Sequence, residues 1–417
     1  MSSKHDASVP LLTQSLAAGE GYPAMRRHAF LLSLAFIFLI PWEGVELPSI
    51  GAVAKYVGFL AGAVWLVTVL RSGYVRAPRA FQATVFVFIG WNALSVLWSV
   101  DPEESLGRAV TWAQLFVFVL MLWDLYTTRA AVLAGLQAYV LGAYVSVGSA
   151  FANYLSGEAF YSHYDRFSSG DTNPDGFAFI LALGLPAAWY LASSKSTSKL
   201  QRLLQVVNFS YVPAALLGIC LSGTRTALIA TIPAMAFGLS SLMRLERAAR
   251  IAVVLLLALT LFLLLGRVET LTSFQRFSTI SSELSEGDLN NRTKNWLEGL
   301  TTFSRHPLMG IGSNTYRSQN SFGKVAHNSY LSVLVEVGLI GLALFGAILT
   351  IAVVQAFGQP LWERSFWLSL LAVWALGAST LTWEHRKSTW LFLSLVVAGG
   401  ALARERADPV AAAHGVR

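Results

Sequence analysis

The chain is short of charge and nearly free of cysteine. Only 13% of its 417 residues are Asp, Glu, Lys or Arg, while 55% are hydrophobic. A soluble protein carries about 25% charged residues, so an ordinary soluble globular domain is excluded. The single cysteine, Cys220, rules out a disulfide framework and a CxxC metal site. Inside an apolar run it reads as a small buried hydrophobe. There is no HExxH, no Walker loop, no DxD-like diphosphate–metal motif and no pair of carboxylates with a convincing shared face. Residues 1–26 show no apolar h-region followed by a small-residue cleavage site, so the first apolar run is expected to be an uncleaved membrane helix. Internal repeats, low-complexity segments and a soluble domain are lacking as well.

What is present is a series of long apolar runs, each sufficient to cross a hydrocarbon core of about 30 Å. About twelve are expected, near 28–44, 51–70, 80–98, 107–126, 130–151, 175–193, 203–221, 225–243, 250–266, 328–355, 365–382 and 388–403. The expected fold class is an all-α polytopic membrane protein. Arg26 and Arg27, then Arg71, Arg76 and Arg79, then Arg129, then Lys195, Lys199 and Arg202, fall in alternate connections, as do Arg244, Arg247, Arg250, Arg364, Arg404 and Arg406. Glu43, Glu46, Asp101, Glu103 and Glu104 make the intervening first and third loops acidic. By the positive-inside rule both termini are cytoplasmic. The net charge of +7 is then largely a matter of topology, and no nucleic-acid partner is expected.

The opposite face has basic residues that topology does not explain: Arg166, Arg225, Arg276, Arg292, Lys294, Arg305, Arg317, Lys324, Arg386 and Lys387, with His163, His306, His327 and His385. As a set they suggest an anion site; singly, each also reads as a solvated loop charge or a snorkelling side chain. The polar segment 267–327 divides the chain into membrane parts 1–266 and 328–417. Asp288 could cap a helix from about Asn290 to Ser304, with Trp296, Leu297, Leu300 and Phe303 packing it on the membrane roof. Pro307 ends that helix and Gly310-Ile311-Gly312 turns the chain back. A second outer loop, 152–174, mixes Tyr154, Phe160, Tyr161, His163, Tyr164 and Arg166 with Asp171 and Asn173, and Asp175 follows it. That mixture suits sugar binding and interfacial anchoring equally.

Three places could carry chemistry. His327-Asn328 stands at the mouth of a membrane helix, and a helix from Asn328 puts Leu331, Leu334, Gly338 and Gly341 on the face of His327. The glycines would let a neighbouring helix approach. A histidine there can take a proton from an attacking hydroxyl, or simply cap the helix; Asn328 is better suited to capping or orienting. Glu336, on the same helix, is expected to be an intramembrane carboxylate with a structural partner on another helix. Arg225 lies in the tight turn Ser222-Gly-Thr-Arg-Thr226, where Thr224 or Ser222 can cap the next helix. A helix N-terminus beside an arginine fork is a ready diphosphate site. Arg292, and less directly Lys294, Arg305 and His306, could add cations. With no metal motif, arginines would neutralise a leaving group in place of a metal ion, and no cofactor is expected.

The spacing His327-Asn328, nine residues, Gly338, two residues, Gly341 resembles the signature of O-antigen ligases. The stretch Arg305 to Gly312 and the Ser222–Arg225 turn are similar to elements of the wider ligase and polymerase family, which includes bacterial protein O-oligosaccharyltransferases. The motifs are confined to about 220–345. The resemblance implies a GT-C-like membrane fold with one large, partly helical periplasmic loop in the bacterial inner membrane. It implies a glycan donor on undecaprenyl pyrophosphate and a lipid A-core acceptor. Carried over, His327 becomes the catalytic histidine and Arg225 and Arg292 the diphosphate ligands, with Arg225 counted as catalytic. Asn328, Arg166, His306, Arg305 and Lys294 are expected substrate contacts, and Gly338 and Gly341 structural. A polymerase, a protein oligosaccharyltransferase and, from another class, a transporter of lipid-linked sugars stay open as alternatives. A transporter would show pseudo-repeats and midplane ionisable residues.

Overall fold

The computed structural model describes residues 24–44, 46, 47, 51–160, 165–170, 172–194, 198–265 and 292–407. Among them, long helices stand at each of the twelve expected positions. They are α1 (Ala24–Leu39), α2 (Val53–Ser72), α3 (Ala80–Leu94), α4 (Pro102–Leu125), α5 (Arg129–Ser156), α6 (Pro174–Ala192) and α7 (Lys199–Ser222). After them come α8 (Arg225–Leu242), α9 (Arg247–Leu265), α12 (Ser329–Phe357), α13 (Leu361–Ala378) and α14 (Lys387–Ala407). Two shorter helices, α10 (Arg292–Arg305) and α11 (Tyr316–Gln319), lie between α9 and α12. Nine helices among the described residues are long and apolar enough to cross a bilayer. The chain is an all-α multi-pass membrane protein. Among the described residues the one departure is a two-residue antiparallel pair, β1 (Glu46–Leu47) with β2 (Gly51–Ala52).

Helix α6 is the axis of the bundle. Nearly all of its residues are buried, and it packs against α5, α7, α8 and α13. Lipid offers no hydrophobic drive for such packing, so close backbone approach and internal hydrogen bonds have to supply it. Gly377 of α13 accommodates the Phe179 ring, and Gly218 of α7 accommodates Leu181. The buried Tyr211 hydroxyl donates to the Leu181 carbonyl at 2.9 Å. Asn173 caps α6, its side-chain oxygen accepting from the Asp175 N–H, with Pro174 in the first turn. The first residues of α6 are thereby fixed at the end of the bundle that carries α10.

Helix α12 is broken. Its 29 residues would extend about 43 Å, well over a bilayer core. Gly338 interrupts it with φ 70° and ψ −170°. The part from 339 to 357 alone reaches about 28 Å. Backbone groups freed at the break are taken up by the loop after α10. Ile311 N–H donates to Val335 O at 3.1 Å and Gly312 N–H to Glu336 O at 2.8 Å, while Leu339 N–H donates to Pro307 O at 2.9 Å. The Trp91 indole donates to Val337 O at 2.9 Å. A break at membrane depth is tolerated only when protein satisfies its backbone in this way.

Two expectations change here. The face of His327 cannot be projected to Gly338 and Gly341, because the helix starts after Asn328 and breaks at Gly338. What lies against Gly338 is the Leu308–Met309 backbone rather than a helix, while Gly341 does face Trp91 of α3. Glu336 does not sit mid-span opposite a second helix. It lies in the last turn before the break, where its Oε2 accepts the Asn314 N–H at 2.7 Å.

The apolar stripe of α10 is only half used for packing. Trp296 and Phe303 pack on Ile311, Tyr316, Ala326, Leu331 and Val335. Leu297 and Leu300 remain 60% and 47% exposed. The proposed cap Asp288 and the residues 266–291, Arg276 among them, lie outside the described residues.

Candidate active site

The turn between α7 and α8 is built around a buried arginine. Arg166 donates from Nε to the Ser222 carbonyl at 2.7 Å, and from Nη2 to Asp175 Oδ1 at 2.6 Å and Thr224 Oγ1 at 3.1 Å. Thr224 in turn donates to Asp175 Oδ1 at 3.0 Å. Gly223 has φ +67°, and a Cβ there would crowd the Arg166 side chain. The geometry dictates the residue types. A turn this tight needs a left-handed glycine, and a guanidinium fork ties two carbonyl or carboxylate groups at once. Thr224 stands at the N-cap of α8, but its hydroxyl serves this knot and makes no cap bond, and the Ser222 hydroxyl donates to Ile219 O. Side-chain capping of α8 is therefore not what these residues do.

The knot leaves the first turn of α8 facing a small pocket. Its walls are Asp175 and Phe179 from α6, Thr224, Thr226 and Ala227 from α8, Arg292 from α10, and Gly377, Thr380 and Leu381 from the end of α13 and the loop after it. Helix α10 delivers Arg292 by being pinned at this same end. Asn295 Nδ2 donates to Val325 O at 3.0 Å and Trp296 Nε1 to Ala326 O at 2.8 Å. The next residue after that strap is His327.

His327 is held by its backbone. Its N–H donates to Thr382 Oγ1 at 3.0 Å, and its φ is +50°. A left-handed non-glycine conformation costs on the order of 1–2 kcal/mol and persists where neighbours over-determine it. Several neighbours do so. Asn328 caps α12, its Oδ1 accepting from Tyr330 and Leu331 N–H at 3.0 and 3.1 Å. Ser329 Oγ donates to Leu381 O at 2.7 Å and accepts from Trp383 N–H at 2.8 Å. The loop 379–386 is thus clamped to the start of α12. Its far side is anchored too, since the buried Glu384 accepts from Ser332 Oγ at 3.1 Å.

Electrostatics set the state of both candidate groups. The Arg292 guanidinium makes no hydrogen bond or ion pair among the described residues. Burial lowers its pKa; Asp175 acts to raise it, and Arg225 and Arg166 act to lower it. A half-buried cation so placed is stabilised by an arriving anion. The first N–H groups of α8 have no carbonyl partner within the helix and favour the same ligand. Burial, then the Arg292 cation, lowers the His327 pKa to about 4, with Asp175 opposing and Lys324 assisting. The imidazole is neutral at neutral pH and can accept a hydroxyl proton.

The ten residues singled out from the sequence separate into groups. Arg292, Arg225, His327 and Asn328 come to one end of the bundle. Arg225 opens α8 beside the pocket without lining it, and its charge acts on Arg292. Arg166 is beneath the pocket and committed to the knot. Arg305 and His306 close α10 at its other end, about 20 Å from Arg292 along the helix axis, and both are exposed. Lys294 is exposed on the outer face of α10. Gly338 and Gly341 belong to the break and its packing.

In the aromatic loop, Tyr154 packs edge-on against Phe167 with centroids 5.2 Å apart. Its Tyr161, His163, Tyr164 and Asp171 lie outside the described residues. Sequence reasoning placed Asp175 only with the aromatic outer loop, gave Thr226 no role beyond its turn, and omitted Thr380 and Thr382. The signal for Asp175 was the Asn-Pro-Asp start of an apolar run. The threonines of the 379–386 loop were hidden by a span drawn to residue 382, whereas α13 ends at Ala378.

Comparison with curated proteins found no match. Comparison with protein-family models found one over residues 211–346, described as O-antigen ligase. That stretch contains Arg225, Arg292, His327 and the break at Gly338, and leaves outside it Arg166, Asp175 and the 379–386 loop. Over that stretch the chain is similar to the O-antigen ligase family, whose members are membrane glycosyltransferases of the ligase and polymerase type.

Proposed function

We propose that the protein transfers O-antigen glycan from undecaprenyl pyrophosphate to lipid A-core, with the pocket on the periplasmic face of the bacterial inner membrane. The observation that carries this reading is the meeting, at one end of the bundle, of an unpaired half-buried Arg292, the first turn of α8 and a neutral His327. The diphosphate lies against Arg292, the α8 N-terminus and Arg225. His327 accepts the proton of the acceptor hydroxyl. That oxygen bonds to the anomeric carbon, the bond from this carbon to the diphosphate oxygen breaks, and undecaprenyl pyrophosphate leaves with both electrons. One displacement inverts the anomeric centre.

The division of labour has an electrostatic logic. A histidine at about 4 is a weak base while Arg292 stands bare. A diphosphate on Arg292 cancels the cation that depresses it, so basicity rises once the donor is bound. Positioning and charge neutralisation supply much of the rate, because diphosphate is already a good leaving group.

The test is transfer by the purified full-length protein in proteoliposomes, given lipid-linked O-antigen and lipid A-core. Capped lipid A-core is the expected product, formed far more slowly by His327→Ala and Arg292→Ala. Longer lipid-linked chains in place of it would assign a polymerase.

A further inference from the structure

The end of α10 far from the pocket has its own unexplained combination of groups. Arg305 and His306 are exposed, and neither side chain makes a hydrogen bond or ion pair among the described residues. Two residues on, Leu308 is 60% and Met309 40% exposed. This turn is not loose. Gly310 N–H donates to His306 O at 3.0 Å, Ile340 N–H to Leu308 O at 3.3 Å and the Trp98 indole to Met309 O at 3.1 Å. The Trp98 and Trp91 rings lie 5.0 Å apart beside it.

Its depth follows from its partners. Leu339 and Ile340, which bond the turn, open the long apolar part of α12, and they are themselves exposed along the outside of the bundle. Leu308 and Met309 continue that lipid-facing surface. A tryptophan pair at the same level is the usual mark of the bilayer interface. Arg305 and His306 therefore stand at headgroup height, immediately above an apolar pair at acyl-chain height. Favourable interaction with the helix dipole would account for an arginine in the last turn. It does not account for the apolar pair held rigidly out beneath it.

We infer that the Arg305–Met309 turn is a docking surface for a phosphorylated lipid of the adjoining leaflet, with Arg305 and His306 on the phosphate and Leu308 and Met309 among the acyl chains. A soluble anion would use only the upper half of this surface. Identifying the lipid with the phosphate-bearing lipid A part of the acceptor rests on the function proposed above. Docked there, an acceptor would be held by its anchor about one helix length of α10 from the pocket, leaving its core sugars to span the gap to His327.

The test is lipid binding to the full-length protein in detergent by native mass spectrometry, with phosphorylated and enzymatically dephosphorylated lipid A as probes. A cation at a membrane surface contributes about fivefold in affinity for an anionic lipid. The wild type is expected to prefer the phosphorylated form by about that factor or more. R305A/H306A is expected to lose the preference and R305K to keep it. L308S/M309S should weaken both probes alike. An undiminished preference in R305A/H306A, or equal binding of the two probes by wild type, overturns the dock. If R305A/H306A loses the preference yet transfers glycan at the wild-type rate, the dock stands and its occupant is not the acceptor. Undiminished transfer by H327A would strike the proposed function and leave the dock untouched.

Discussion

At the end of the bundle away from the pocket, four described arginines are closed onto carboxylates. Arg26 pairs with the buried Asp124, Arg76 and Arg79 share Glu405, and Arg129 bonds both Glu363 and the Tyr190 hydroxyl. Arg76 also lies over the Trp123 ring at 3.8 Å. At the pocket end Arg166 is used in the same manner, but Arg292 is not: the carboxylate nearest in effect, Asp175, is already bonded by Arg166 and Thr224. The two ends thus contain the same residue types in different states of completion. An arginine that has been given its counter-ion by the fold holds helices together. One whose counter-ion the fold has assigned elsewhere is left to bind something that arrives.

The comparison breaks first on activity. Alanine at Arg292 or His327 should lower the rate of transfer by about 10²–10⁴-fold, measured per folded molecule in proteoliposomes. Arg76→Ala should leave that rate near wild type and lower the thermal midpoint. Equal losses of rate at both ends would erase the distinction.

The next largest effect is on stability. Arg166 is nearly buried, so Arg166→Ala strands Asp175 and should cost about 3–5 kcal/mol in reversible unfolding. The double variant with Asp175→Ala should recover part of this. A single variant as stable as wild type would mean that the knot does not brace the turn.

A third measurement sharpens the electrostatic contrast. Because His327 titrates at about 4 in the folded protein, kcat/KM should stay level on acidification until the pH nears that value. Arg292→Gln should move the acidic limb upward, toward the ordinary histidine range. The sign for stability is the same: an unfolded-chain histidine near 6.5 binds a proton that the folded one refuses. His327 therefore destabilises the fold progressively as pH falls through that window. An unmoved limb in Arg292→Gln would show that the arginine does not act on the histidine.

The smallest effect is local. Asn328→Ala removes the cap of α12 and should cost about 1 kcal/mol, read as a lower thermal midpoint with rescue by Asn328→Asp.

Much of the fold was legible because span length is imposed by the bilayer itself. Among the described residues a helix stands at each predicted apolar run, and nine of these helices are long and apolar enough to cross a bilayer. His327 and Arg292 could be singled out as candidates because a polar residue against a membrane helix has few structural excuses. What periodicity could not show was the break at Gly338, since a helical face drawn through glycine assumes that glycine is helical. Nor could it show that Arg166 and Asp175 consume one another's charge, because the partners come from different elements. Arg305 carries the same charge as Arg292 in sequence and lies a helix length away in space. Thr382 was lost to a span boundary four residues too long.

The backbone seam at Gly338 gives the interval from His327 a meaning of its own. One end of that interval is fixed by the Thr382 hydroxyl and the Asn328 cap, the other by carbonyls of Pro307 and Leu308. The segment between them is a ruler clamped at both ends. One residue added or removed within it would turn the histidine by about 100° relative to the arginine of α10. The spacing of the histidine–asparagine and glycine pairs is then a measured length, the distance from the floor of a pocket to the place where its supporting loop is sewn into a membrane helix.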